Sequence, residues 1–321
     1  MSGARVRKAR DARARERKGS PRRKHILGVF DSGIGGLTVV RHLRRLLPAW
    51  DIVYFGDTAR VPYGTKSDAT VRRFAGEAAR FLTQFGVSRL VVACNTVSAV
   101  ALRSLARDFQ GLPVNGVIQP GAEAAVKATR SGRIGVIGTR ATVASGAYEH
   151  AIAAAARQAG KHTRVYATPC PLLVPLAEEG LAGSKAAREV LRDYLAPLRA
   201  RKIDTLILGC THYPPFKPAI RSILGRRVTL IDSGEATARR LALAMRLQSN
   251  SNPGPRARGE RPRGRGEGPR RRGSLRCYVS DIPRQFEAIG RRFLGSRLGR
   301  VWLVPQDDLP WFQRPPLEGP L

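Results

Sequence analysis

The chain is short of acidic residues, cysteines and aromatic rings, and it has no long apolar run. No apolar stretch approaches the roughly 18 residues needed to span a bilayer, which argues against a membrane helix. The first 24 residues hold eleven Lys or Arg and two acidic residues but no apolar core, so they do not read as a secretory signal. They are also nearly free of Ser, unlike a transit peptide. Only four cysteines occur, Cys94, Cys170, Cys210 and Cys277, far apart in 321 residues and without a Cys-x-x-Cys pair. That spacing argues against a disulfide framework and favours reduced thiols in a cytoplasm.

The shortage of acid leaves a net charge of +33, with 57 Lys or Arg against 24 Asp or Glu. About half of it sits in two segments, 1–24 and 249–276, the second with nine Arg and two Glu. Both are poor in apolar residues and read as disordered: a basic tail at 1–24 and a flexible Arg/Gly/Pro-rich insertion at 249–274. A further tail covers 307–321. A positive field attracts anions, whether acidic metabolites or nucleic acid. Neither segment interleaves aromatic rings that would stack on bases, so nucleic-acid binding through 1–24 and 249–274 is weighed as a minor addition.

What is present from residue 25 onward is one repeated rhythm: a short apolar strand, a Gly- or Ser-rich turn, then an amphipathic helix. Strands are expected at 26–30, 51–55, 89–93, 114–117, 133–137, 163–167, 204–208, 228–231, 276–280 and 300–304. Helices are expected at 67–86 (Ser67 as N-cap), 96–109, 141–157, 184–200, 235–247 and 283–293. This alternation predicts an α/β fold with largely parallel sheets and helices on both faces. About ten strands exceed one compact sheet of this length, so two three-layer α/β domains are expected, with the active site in the cleft between them. The first combines 25–117 with 229–306, and the second covers 118–228. Two local echoes suggest pseudo-symmetry. Asp31-Ser32-Gly33 matches Asp232-Ser233-Gly234, and Cys94-Asn95-Thr96 resembles Cys210-Thr211-His212. The alternative is chance similarity between strand ends.

In open α/β sheets, ligands bind beyond the carboxyl ends of the strands. All four of those clusters fall at such ends, as does Gly56-Asp57-Thr58 followed by Pro62-Tyr63-Gly64. A Cys between a strand and a helix N-terminus meets backbone N–H groups, which are expected to lower the thiol pKa from about 8.5. One such Cys would more often be a small buried hydrophobe. Two in the same setting favour the functional reading, a base or a nucleophile. Cys170 and Cys277 lack polar followers and read as structural. Cys210 and His212 offer two metal-ligand types, and Cys94 could join them, but no His-x-x-x-His or Cys-x-x-Cys spacing supports a metal. The Gly33, Gly35 and Gly36 turn lacks dinucleotide spacing. It reads instead as a nest for a small zwitterion, with Asp31 and Ser32 side chains exposed.

Seven stretches in order resemble the glutamate racemases of the aspartate/glutamate racemase superfamily. They are Phe30–Thr38, Tyr54–Gly64, Val92–Thr96, Gly116–Gly121, Ile134–Thr139, Cys170–Gly180 and Leu206–Pro214. Tyr278–Gly295 is also similar to the family's C-terminal end, so the resemblance covers residue 25 to about 305.

The resemblance implies inversion of the α-carbon of free glutamate without cofactor or metal, feeding D-glutamate to peptidoglycan synthesis. It lays the two proton-transfer thiols on Cys94 and Cys210, with Asp31 and His212 assisting them and Glu178 as the acidic residue near His212. It lays substrate binding on Asp31, Ser32, Tyr63, Gly64, Asn95, Thr96, Thr211 and His212. It is compatible with a homodimer. A racemase for aspartate or another amino acid is the alternative within the superfamily. The two Arg-rich segments are the chain's main departures from the family pattern.

Overall fold

The computed structural model describes residues 25–251, 272–306 and 310–313. The expected tail 1–24, most of the 249–274 insertion and most of the 307–321 tail lie outside the described residues.

Among the described residues, ten strands form two sheets, and every strand pairing is parallel. The six-stranded sheet contains β1 (Ile26–Asp31), β2 (Asp51–Gly56), β3 (Arg89–Val92), β4 (Val114–Gly116), β9 (Leu275–Val279) and β10 (Val301–Leu303), in the order β10-β9-β2-β1-β3-β4. The four-stranded sheet contains β5 (Arg133–Gly138), β6 (Arg164–Pro169), β7 (Thr205–Gly209) and β8 (Thr229–Asp232), in the order β6-β5-β7-β8. β1, β2 and β7 are buried along their whole length. Continuous apolar runs such as Ile26–Phe30 suit strands covered on both faces, which is how parallel sheets are built.

The order β2-β1-β3-β4 repeats as β6-β5-β7-β8, so the two sheets share a pseudo-symmetric core. The repeat pairs β3 with β7, the strands that end at Cys94 and Cys210. It pairs β1 with β5 and β4 with β8. The Asp31 and Asp232 echo therefore joins strands that are not counterparts. β8 hydrogen-bonds to β7 and belongs to the second sheet, whereas the expected domain boundary put residue 229 onward with the first.

The helices are α1 (Leu37–Leu46), α2 (Asp68–Thr83), α3 (Asn95–Val100), α4 (Leu102–Asp108), α5 (Ile118–Ala128), α6 (Arg140–Ala144), α7 (Ala147–Gln158), α8 (Leu173–Glu178), α9 (Lys185–Ala200), α10 (Lys217–Leu224), α11 (Ser233–Ser251) and α12 (Pro283–Leu294). Their starts follow local chemistry. Ser67 caps α2 by accepting from Thr70 N at 3.3 Å, and Ser184 caps α9 by accepting from Ala187 N at 3.0 Å. Each then buries a stripe at helical spacing: Val71, Phe74, Ala78 and Phe81 on α2, and Ala187, Leu191, Leu195 and Leu198 on α9. Two expected helices are interrupted. The 96–109 stretch divides at Ala101, and 141–157 breaks where Gly146 adopts φ 63, a left-handed conformation that interrupts helical geometry.

The chain passes between the sheets at α5 and again at α11, and these helices pack on each other. One cluster of buried apolar residues runs from Leu27 and Leu43 beside the first sheet to Leu195 and Ile220 beside the second. A continuous core of this kind holds the carboxyl ends of β3 and β7 to a shared cavity.

Candidate active site

A cavity of about 540 Å³ opens where the two sheets meet. Ser32 and Gly33 reach it from β1, Tyr63 and Gly64 from the β2 loop, and Cys94, Asn95 and Thr96 from β3. From the second sheet come Thr139 and Arg140 after β5, Glu178 on α8, and Cys210, Thr211 and His212 after β7. Every expected site residue lines this cavity except Asp31. Cys170 and Cys277 are buried away from it.

Asp31 is fully buried behind Ser32 and Gly33. Its Oδ2 accepts from Gly33 N at 3.2 Å and Gly36 N at 3.0 Å, and Thr211 Oγ1 donates to its Oδ1 at 3.5 Å. Burial raises its pKa, against the pull of His212 and those backbone N–H groups. Asp31 thus shapes the glycine turn and ties it to the Cys210 loop. The expected exposure of its side chain gives way to burial, because the Gly33 and Gly36 amides draw the carboxylate inward. Gly35 sits so close to that loop that an added Cβ would lie 2.3 Å from Thr211 Oγ1 and 2.5 Å from the His212 ring.

The two thiols have different neighbours. The Cys94 thiol donates to Ser32 Oγ at 3.5 Å. Burial, and next the nearby Asp31 carboxylate, push its pKa up to about 12. The expected lowering is reversed for Cys94: the hydrogen bond from Val97 N favours the thiolate but does not outweigh desolvation. Cys210 Sγ lies 3.9 Å from His212 Nδ1, and His212 Nε2 is 2.9 Å from Glu178 Oε1. Burial disfavours a charge on His212, but hydrogen bonds with Cys210 and Glu178 outweigh it and raise its pKa to about 10. The imidazolium is therefore held at neutral pH, and it faces the Cys210 sulfur.

Polar groups line the rest. Tyr148 Oη donates to Asn95 Oδ1 at 2.7 Å, and this fixes the amide with its buried Nδ2 free of any partner among the described residues. A buried amide donor without an acceptor is costly unless a ligand supplies one. Thr96 Oγ1 and Thr139 Oγ1 lie 3.0 Å apart across the two sheets, and Thr142 Oγ1 is 2.9 Å from Thr139. Arg140 is exposed at the rim and makes no ion pair among the described residues. The Tyr63 hydroxyl donates to the fully buried Asp57, which Arg60 Nε and Ser280 Oγ also engage at 2.7 and 2.9 Å. Asp57 therefore fixes the Tyr63-Gly64 loop from behind.

A sequence model of the Asp/Glu/Hydantoin racemase family matches residues 27–241. A glutamate racemase of Geobacter metallireducens is 47% identical over 278 residues, covering 87% of this chain and 96% of that protein. The chain belongs to the glutamate racemase family. Solved members of the family share the fold. The Thermus thermophilus glutamate racemase, in complex with β-chloro-D-alanine, has a TM-score of 0.72 at 44% identity, covering 88% of this chain and 98% of that one. The Francisella tularensis glutamate racemase, in complex with D-glutamate, has a TM-score of 0.74 at 37% identity, with the same coverage. The chain is accordingly an amino-acid racemase, an isomerase.

Sequence reasoning missed Thr139, Arg140 and Tyr148 in this racemase fold. Thr139 had a signal: it follows β5 as Ser32 follows β1, a likeness that shows only once the strand order is known. The Asp232 cluster lies behind the cavity. Asp232 Oδ2 accepts from Lys217 Nζ at 2.7 Å and lies 3.4 Å from His42 Nε2, while Ser233 Oγ donates to Leu208 O at 3.1 Å. His42, Asp232 and Glu235 are close enough to share an ion, but Lys217, Arg45 and Arg239 already supply their countercharge. Among the described residues, no helix is long and apolar enough to cross a membrane.

Proposed function

We propose that this racemase interconverts L- and D-glutamate without a cofactor, by proton transfer between two thiols and the α-carbon. One observation carries the reading: Cys94 and Cys210, at the ends of counterpart strands in different sheets, open onto one cavity. Inversion needs a base on one face of the α-carbon and an acid on the other, and a thiolate and a thiol supply one of each. The thiolate takes the α-proton to become a thiol. The opposite thiol gives its proton to the planar carbanion and becomes a thiolate. Atoms and charge balance, and the two sulfurs leave with exchanged protonation.

The two thiols are unequal: Cys94 is held as a thiol by burial, while Cys210 faces the His212 imidazolium. By family analogy Cys210 deprotonates L-glutamate and Cys94 deprotonates D-glutamate. Ser32, Tyr63, Gly64, Asn95, Thr96, Thr211 and His212 bind the substrate. Free Asn95 Nδ2, the threonine hydroxyls and Arg140 are donors suited to carboxylates. The carbanion is poorly stabilised without an electron sink, so donors in a closed, dry site must carry the barrier reduction, and closure of the cleft contributes to it.

In heavy water, each glutamate enantiomer should exchange its α-proton for deuterium as it racemises. Absence of exchange would sink the mechanism. Equal or faster turnover of aspartate would reassign the substrate. The product serves peptidoglycan synthesis in the cytoplasm, and the chain should rescue growth of a D-glutamate auxotroph. The reading includes a homodimer, which light scattering of the full chain would check. Nucleic-acid binding through 1–24 and 249–274 falls mostly outside the described residues. Deleting both segments tests it: no salt-dependent change in DNA binding removes the idea.

A further inference from the structure

The pseudo-symmetry has one large exception. The six-stranded sheet carries an added unit, β9-α12-β10, with no counterpart in the four-stranded sheet among the described residues. Its helix brings Phe293 across to the Cys210 side. The Phe293 and His212 rings meet edge to face, with centroids 5.3 Å apart and planes at 74°. Both residues are buried, at 2% and 6% exposure.

We propose that Phe293 is a positioning residue for His212. It fixes the imidazole plane so that Nδ1 meets the Cys210 sulfur while Nε2 meets Glu178. The proposal rests on the two-thiol reading above. Hydrogen-bonding partners meet both imidazole nitrogens, Cys210 and Thr211 at Nδ1 and Glu178 at Nε2, and the edge-to-face contact with Phe293 adds packing on the ring itself. The charged or titratable groups around His212 are Cys210 on its own loop, Glu178 from α8 and Asp31 from β1. Arg292, next to Phe293 on α12, directs its guanidinium to Gly180 beyond Glu178. Phe293 thus contributes geometry and exclusion of water, without charge. The added unit of one sheet thereby tunes the thiol of the other.

The test compares Phe293→Leu with Phe286→Leu in the full chain. Phe286 is a second buried ring on α12, but it packs on Tyr54, 6.0 Å away, rather than on the site. Melting temperature, kcat/KM and its pH profile are measured for each, after wild type is shown to racemise glutamate. Inactive wild type would defeat the two-thiol reading itself, before any variant is made. Phe293→Leu should lower kcat/KM about tenfold, since small misplacement of a catalytic group is costly. It should also move the alkaline limb to lower pH. Admitting water relieves the burial that lowers the His212 pKa, but the hydrogen bonds with Cys210 and Glu178 outweigh burial, so misaligning them brings the pKa down on balance. Phe286→Leu should lose stability with the limb unmoved, and Phe293→Tyr should restore the wild-type profile. Phe293→Met, which fills the space without a ring, replaces the Leu variant should that fail to fold. An unmoved limb in the ringless variant, or an equal shift in Phe286→Leu, overturns the proposal.

Discussion

The strand order β2-β1-β3-β4 recurs as β6-β5-β7-β8, yet the thiols that follow β3 and β7 have different surroundings. Cys94 meets a neutral hydroxyl, Ser32, with the Asp31 carboxylate nearby, and its proton is held tightly. Cys210 meets an imidazolium backed by Glu178. A repeated framework places two sulfurs alike, and the side chains around each make their surroundings unequal. The proposed two-thiol racemisation needs one sulfur as acid and the other as base at every instant, and it needs those roles to reverse after each turnover. The neighbours must therefore bias the two thiols without locking them.

The largest effect should come from removing either member of the pair. Cys94→Ala and Cys210→Ala should each lower racemisation by about 10³-fold or more, since each removes one of the two proton carriers. Cys170→Ala and Cys277→Ala, buried away from the cavity, should retain activity. Because the enantiomers are equal in free energy, kcat/KM must fall equally in both directions for any single variant. Initial-rate assays from L- and D-glutamate would check both points. Full activity in either Cys94→Ala or Cys210→Ala would end the comparison of acid and base.

A steric change should come next. Gly35→Ala would place a Cβ 2.3 Å from Thr211 Oγ1 and 2.5 Å from the His212 ring, so one must move. Gly64→Ala would meet Thr139 Cβ at 3.1 Å, a tight contact that a small shift relieves. Overpacking of this kind costs about 1–3 kcal/mol. Gly35→Ala should lower kcat/KM about 100-fold, because both groups it crowds, Thr211 and His212, belong to the Cys210 loop. Gly64→Ala should lose far less. Equal losses in the two variants would show that the Cys210 loop is not the more exacting side.

Glu178→Gln sharpens the comparison through pH. Glu178 helps raise the His212 pKa to about 10, and a raised histidine pKa keeps the imidazolium up to that pH. Removing the negative charge lowers that pKa, so the imidazolium is lost sooner as pH rises. The alkaline limb of kcat/KM should move to lower pH, with a drop of about tenfold at its former plateau edge. The pH profile of the variant against wild type measures it. A limb that stays in place would mean that Cys210 alone sets the His212 charge.

Much of this site was legible in the residue order because the chemistry clusters at strand ends. Apolar runs mark β3 and β7, and the small polar residues after them mark the turns that face the cleft. Less was legible where three-dimensional burial decides. The Cys94 pKa goes up rather than down because desolvation exceeds what one backbone N–H returns. Asp31 looked like a displayed carboxylate, but the Gly33 and Gly36 amides fold it inward. The Asp232 echo matched Asp31 in letters and not in place, since one ends β8 and the other β1. Phe293 lies far along the chain from His212, and no local pattern links an aromatic on one helix to an imidazole on another sheet. Arg140 and Thr139 are ordinary residues after an ordinary strand, and only the strand order gives them meaning.

The smallest effect should come from the Cys94 side. Ser32→Ala removes the side-chain hydroxyl that accepts from the Cys94 thiol at 3.5 Å, an ordinary distance for a weak sulfur donor. Burial holds this proton in place, and the Ser32 hydrogen bond pulls weakly the other way, toward the thiolate. A neutral hydrogen bond contributes about 0.5–1.5 kcal/mol, so kcat/KM should fall by about two- to tenfold. Unlike Glu178→Gln, this variant should leave the alkaline limb where it is, because no charge next to His212 has changed. Ser32 also lines the cavity, so KM should carry part of the loss, and full kinetics in both directions would separate binding from chemistry. A loss as large as that of Glu178→Gln, or a moved limb, would mean that the hydroxyl is coupled to the Cys210 side as well. The turn that holds Ser32 is fastened to Thr211 through Asp31, so a coupled result would trace the exchange of protonation between the sulfurs to that tie.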